Sequence, residues 1–370
     1  DWYAPQRKAI AGLLKHAARW SRPDGTQLLG LGNKPTRTKS VWSALVGQAK
    51  KTQSLTATMT LAGIGQGSRS ETRRKIRPEK LPATTHYSDT AACVSMQSDW
   101  REKGAKLALD FSDVNICLEA LGPKGQSLLA GEWISRVELN GQAELQLGEW
   151  EEVCWFTDDD VDYLELEAQF GQHARVQRQT ILFREERLLL LADSLLADAD
   201  GSWAIQSGIP LAAGCEYQPA KKTTEGFIET ASGARCLCLP LFLPEWRRSL
   251  HDRPLSLTAG EEPLIARAEG PARRQFLATC IQLTNANHRQ QFTWRQLTVG
   301  EELRIVGPDE AVAFRVQIGQ DQWVIYRSLA PATRRTALGM HTAADFYIGR
   351  FDADEGDVDT IVEVEACSQI

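Results

Sequence analysis

Five side chains in this 370-residue sequence have the types and spacing that proton transfer or anion binding requires. His86 and Tyr87 are adjacent, and an imidazole beside a phenol can divide the removal and return of a proton between them. His173 and Arg175 share one side of an alternating run with Gln177 and Gln179. On a strand, those imidazole, guanidinium and amide groups would line a single face. Such a face is either a polar groove for sugar and carboxylate groups or a solvated surface. Arg178 falls on the opposite, apolar face, where a guanidinium needs a buried acidic partner or an opening toward a ligand. His288 sits in the turn-like run Asn285–Arg289, and His16, His251 and His341 have no chemical partner nearby in sequence.

Other motifs carry less. Gly63-x-Gly65-x-Gly67 is followed by Ser68 and no apolar helix, so it is a connector and not a nucleotide loop. Arg69, Arg73, Arg74, Lys75, Arg77 and Lys80 surround Pro78 without interleaved aromatics, which argues against a nucleic-acid platform. Asp158-Asp159-Asp160-Val161-Asp162 lacks the ligand and glycine spacing of a calcium loop and is expected to be a solvated turn. Cys236-x-Cys238 has no second pair to complete a metal site, and the eight cysteines suit apolar packing. No G-x-S-x-G elbow offers a serine nucleophile.

The elements that must position these residues are strands. Between Asp162 and Leu196, two alternating runs and the continuous run Leu188–Ala192 are separated by Gly171 and by Glu185-Glu186-Arg187. This spacing predicts a three-stranded antiparallel meander. Leu164 and Leu166 would face inward, with Glu165 and Glu167 outward on a half-buried strand. Further short runs, Ile134–Leu139 and Ala143–Leu147 among them, continue to the C-terminus without intervening helices or a fixed repeat. The fold class is therefore mainly β, a large antiparallel β-sandwich (supersandwich) preceded by a short helical segment. Helices are expected at 5–21 and 39–51, and 54–64 fits a strand or a helix equally. Residues 1–64 then read as the end of a helical domain, 65–85 as a basic linker and 86–370 as the sandwich. Residues 1–80 carry 16 Lys+Arg against 4 Asp+Glu, while the rest carry 26 against 44. The basic end either meets a polyanion or faces another part of a longer polypeptide. No apolar run approaches the ~20 residues that span a membrane.

The segment Ser88–Trp100, SDTAACVSMQSDW, resembles the strand that opens the sandwich in the heparinase II/III family of polysaccharide lyases. Leu107–Asp110, Asn115–Glu119 and Gln126–Leu129 follow in the family's order. His173-Ala-Arg175-Val-Gln-Arg178 with Leu190-Leu191-Ala192-Asp193 is similar to the family's hairpin, and Thr336–Gly339 through Phe351 to a closing-strand pattern. The resemblance implies an N-terminal α/α toroid, of which residues 1–50 would be the last helices, joined to a β-supersandwich. It implies export to the periplasm or cell exterior, and β-elimination on an acidic uronate polysaccharide by Tyr and His from the toroid. Substrate-binding residues would include His173, Arg175 and Arg178, with His86 and Tyr87 as catalytic candidates. The family's sandwich zinc site is expected to be absent. Its His-x-Asp segment meets Phe111-Ser112-Asp113-Val114, its next Asp position meets Leu128–Trp133, and its later His position meets Ile134–Gly141. Two readings stand: an acting lyase, or a non-catalytic carbohydrate-binding or structural relative.

Overall fold

The computed structural model of the chain describes residues 12–13, 16–23, 26–29, 83–100, 104–250, 255–259, 263–286, 290–351 and 357–365. The helix expected at 39–51, the segment 54–64, the Gly63–Gly67 loop, most of the basic linker, His251 and His288 lie outside them. So does the boundary expected at 64/65. Of the first helix, residues 12–13 and 16–19 are helical, and the first strand begins at His86.

Three sheets stack. The first runs in the spatial order β1 (His86–Ser88), β2 (Cys93–Gln97), β3 (Lys106–Asp110), β4 (Ile116–Leu121), β5 (Ser127–Leu139), β11 (Trp203–Pro210), β16 (Pro263–Gly270), β15 (Leu255–Ala259). A short strand, β6 (Gln142–Glu144), also pairs with β5. The second runs β12 (Glu216–Pro219), β13 (Gly226–Glu229), β14 (Arg235–Pro240), β17 (Arg274–Gln282), β10 (Leu188–Ala197), β9 (Ala174–Phe183), β8 (Val161–Phe170), β7 (Gln146–Thr157). The third is β18 (Phe292–Leu297), β21 (Ala311–Ile318), β22 (Asp321–Ser328), β25 (Phe346–Phe351), β26 (Val358–Val364). A small sheet of β20 (Arg304–Ile305), β19 (Val299–Glu301), β23 (Arg335–Ala337) and β24 (Met340–Thr342) sits beside the third.

The expected meander is β8–β9–β10, and it forms the middle of the middle sheet. Leu164, Leu166, Val176, Leu182, Leu189 and Leu191 pack toward the first sheet. Tyr163, Ile181, Phe183, Leu188 and Leu190 pack toward Val316, Trp323, Ile325 and Phe346 of the third. Burial on both faces explains why Leu188–Leu191 is a continuous apolar run. It also corrects the expectation that β8 is half-buried. Glu165 points away from the first sheet as alternation requires, but into the third layer, where it is only 2% exposed. The segment expected at Ile134–Leu139 is the second half of the longer β5, and the one expected at Ala143–Leu147 is divided between the end of β6 and the start of β7. β5 pairs with β4 over its first half and with β11 over its second.

Residues 16–23 and 26–29 dock on the outer face of the first sheet. Arg22 donates twice to Glu119 (2.5 and 2.8 Å), which also accepts from Leu29 N and Ser127 Oγ. Lys106 Nζ donates to the carbonyls of Ala18 and Ser21. Burial brings the Lys106 pKa down from its ordinary 10.5 to about 7, against the pull of Glu119 and with a further push from Arg19. Between about pH 7 and 10.5 the unfolded chain therefore binds the proton that the folded chain has released, and this group makes stability rise with pH across that window. Lys106→Met is expected to flatten the rise. Denaturant midpoints at pH 7 and pH 9 check it, and an unchanged slope would exclude Lys106 as the source.

Candidate functional site

His173 and Arg175 come together at one end of the middle sheet. β8 turns into β9 at Gly171, whose φ of +55° favours glycine. The turn presents Gln172 and His173, and Arg175 follows on the face of β9 that looks toward the third sheet. The His173 Nδ1 lies 3.0 Å from Asp198 Oδ1, just beyond the end of β10. Arg175 Nε is 3.4 Å from Glu167 and remains exposed. His173, Arg175 and Asp198, with Gln169, Gln177, Leu196, Arg274, Arg327 and Asp345, line a groove of about 640 Å³ between the second and third sheets. The face is thus concave, and His173 and Arg175 are at the same time solvent-exposed within it.

The groove rests on a buried polar network. Glu165 accepts from Tyr163 Oη (2.6 Å) and Gln179 Nε2 (2.9 Å) and pairs with Arg327 Nη2 at 3.0 Å. Arg327 Nη2 also donates to Gln177 Oε1. Burial, then the charge of Glu165, pushes the Tyr163 phenol well above its ordinary value, so Tyr163 is a donor here at neutral pH. Asp345 beside Arg327 is shifted upward by burial, with Arg327 opposing. Arg274, Arg327 and Asp345 are not among the site residues expected from the sequence. Arg327 had the same signal as Arg178, an arginine in register with apolar Trp323 and Ile325 on one strand face. Arg274 opens its strand among polar neighbours and gave none.

Arg178 does not reach the groove. Its guanidinium faces the first sheet with no exposure, donates to Asp193 at 2.7 and 3.0 Å, and donates to Trp133 O and Ser135 Oγ. It lies 3.8 Å from the Trp133 ring centroid and 4.8 Å from that of Trp150. The buried acidic partner, not the opening toward a ligand, meets its need. Directly opposed register positions on β9 and β10 supply the pair.

His86 and Tyr87 are not joined either. As consecutive residues of β1 they point to opposite faces. His86 stands edge-on to His16 with ring centroids 4.6 Å apart, and its pKa is lowered by burial and by the charges of His16 and Arg19. Tyr87 stacks on Trp155 at 5.1 Å and donates to Glu152, whose carboxyl burial pushes up. The acidic run also differs from expectation at one residue. Asp158 caps a turn, but Asp162 is fully buried and accepts from Thr85, Thr157 and Arg184.

The three segments that meet the family's zinc-ligand positions do not fit that ion. Asp110 accepts from Ser112, and Asp113 from the backbone of Val114. Leu128 and Leu129 are core residues, and Trp133 donates to Ser207 Oγ. No imidazole is present there, and among the described residues no three His, Cys, Asp or Glu converge. Metal analysis of the purified chain is expected to find no stoichiometric zinc, and one zinc per chain would overturn this reading of the donor set.

No protein-family model and no curated protein sequence matches the chain. Solved structures do. Heparan sulfate lyase HepC from Pedobacter heparinus is similar over 89% of this chain and 54% of its own, with a TM-score of 0.60 and 11% identity. A heparinase III structure is similar over 88% and 55%, with a TM-score of 0.57 and 9% identity. The chain thus has the fold of a heparinase II/III-like polysaccharide lyase and spans about half the length of these lyases.

Proposed function

We propose that this chain is the sandwich part of a polysaccharide-lyase-related protein and binds an acidic, uronate-containing polysaccharide along the groove between its second and third sheets. The carrying observation is the groove's lining, in which Gln169, Gln172 and Gln177 stand among Arg175, Arg274 and Arg327. Amides offer both donors and acceptors to sugar hydroxyls, and guanidinium groups offer planar donors to carboxylates. The fold shared with heparan sulfate and heparin lyases supports this choice of ligand.

Binding without catalysis is the better supported form of the proposal. His86 and Tyr87 point apart, and the segments that meet the family's metal-ligand positions carry no imidazole. If β-elimination occurs, its base and acid come from a helical domain of the same polypeptide outside the sandwich. Export to the periplasm or cell exterior would bring such a protein to its polymer. The full-length protein would be incubated with a panel of uronate polysaccharides and followed by the ultraviolet absorbance of unsaturated uronate ends. Binding without new absorbance is the expected outcome. Rising absorbance would establish the lyase, and absence of binding across the panel would remove the proposal.

A further inference from the structure

The middle sheet sets two arginines in one row. Leu196 of β10 is the register partner of Arg175 on β9 and of Arg274 on β17, so all three project from the same face. Two strand spacings, roughly 10 Å, separate the arginine backbones, a gap that two long side chains can close around a small anion. Arg175 is exposed, with a single 3.4 Å contact to Glu167, and Arg274 is half-buried with no ion pair among the described residues. Leu196 between them supplies an apolar floor.

Behind the row stands Arg327, which is 3% exposed. Its counter-ion Glu165 is already shared with Tyr163 and Gln179. Only Nη2 finds acceptors, leaving Nε and Nη1 buried without a hydrogen-bond partner. A buried guanidinium so partnered is costly unless another acceptor or anion reaches its surroundings. Two carboxylates, Asp198 and Asp345, also line the groove, and Asp345 lies within the electrostatic reach of Arg327, Glu165, Arg175 and Arg335.

We propose that Arg175 and Arg274, backed by Arg327, form a subsite for one anionic substituent, a carboxylate or a sulfate ester. This deepens the groove reading above and rests on it for the polymer, but the subsite itself can be tested without one. The chemistry shared by the two substituents is a compact oxyanion with several acceptor oxygens, which forked guanidinium donors match.

The full chain would be titrated calorimetrically at low ionic strength with glucuronate and, separately, with inorganic sulfate. Wild type is expected to bind at least one of them with one-to-one stoichiometry, and the tighter of the two identifies the substituent. Arg175→Gln and Arg274→Gln are each expected to weaken that binding about tenfold, the worth of one charge-assisted hydrogen bond. Both positions are accessible, and unchanged thermal midpoints would show that the variants fold. If wild type binds neither anion, or the double variant binds as wild type does, the subsite is overturned. If the small anions bind and no polysaccharide does, the subsite stands and the polysaccharide reading fails.

Discussion

Arg178→Ala is expected to cost about 3–5 kcal/mol of folding stability, the usual result of stripping one partner from a buried ion pair. The side chains of Arg178 and Asp193 are both fully buried between the first and second sheets. Without Arg178, Asp193 would be left buried without its partner, and Trp133 O and Ser135 Oγ would lose their donor. The indoles of Trp133 and Trp150 would also lose the cation they pack against. Urea unfolding measures the change through the midpoint at constant slope. The cause separates cleanly with a second variant. Arg178→Met combined with Asp193→Leu removes both charges and should recover most of the loss, whereas a loss below about 1 kcal/mol in Arg178→Ala would mean the pair is not buried.

Glu165→Gln is expected to have the next largest effect, roughly 3 kcal/mol, for a different reason. One carboxylate serves three donors from two sheets: Tyr163 and Gln179 on the middle sheet and Arg327 on the third. The amide keeps the size but removes the charge, so Arg327 is left as a buried cation without its counter-ion. Combining Glu165→Gln with Arg327→Met should destabilise less than the sum of the two single changes, because each removes the partner the other needs. Strict additivity in that double-mutant cycle would show that the two side chains do not interact.

The sheet-rich fold was legible because its strands obey simple periodicities, above all in β8–β10. What the periodicity could not convey was the number of layers. Glu165 and Glu167 alternate with leucines as they would on a solvated strand. Only the third sheet, formed by residues more than 120 positions later, turns Glu165 into a buried ion-pair partner. The candidate site was legible in part for the same reason. His173 and Arg175 announce a polar face within one strand, but Arg274 and Arg327 join them across 99 and 152 positions of sequence, which no local pattern encodes. Arg178 shows the converse. Its conflict with an apolar face was visible, and Asp193 resolves it within the same hairpin. His86 and Tyr87 misled because adjacency in sequence suggests a pair, whereas adjacency in a strand separates two side chains onto opposite faces.

The most direct test of the groove as a polyanion site is equilibrium binding of the chain to a uronate polysaccharide at several salt concentrations, for wild type and for Arg175→Gln/Arg274→Gln. Surface arginines that neutralise a polyanion make affinity fall as salt rises, because their contribution is screened. The account expects measurable wild-type binding that weakens steadily with salt, and a double variant with much lower affinity and a shallower salt dependence. Wild-type binding that is absent, or that matches the double variant at every salt concentration, would contradict it.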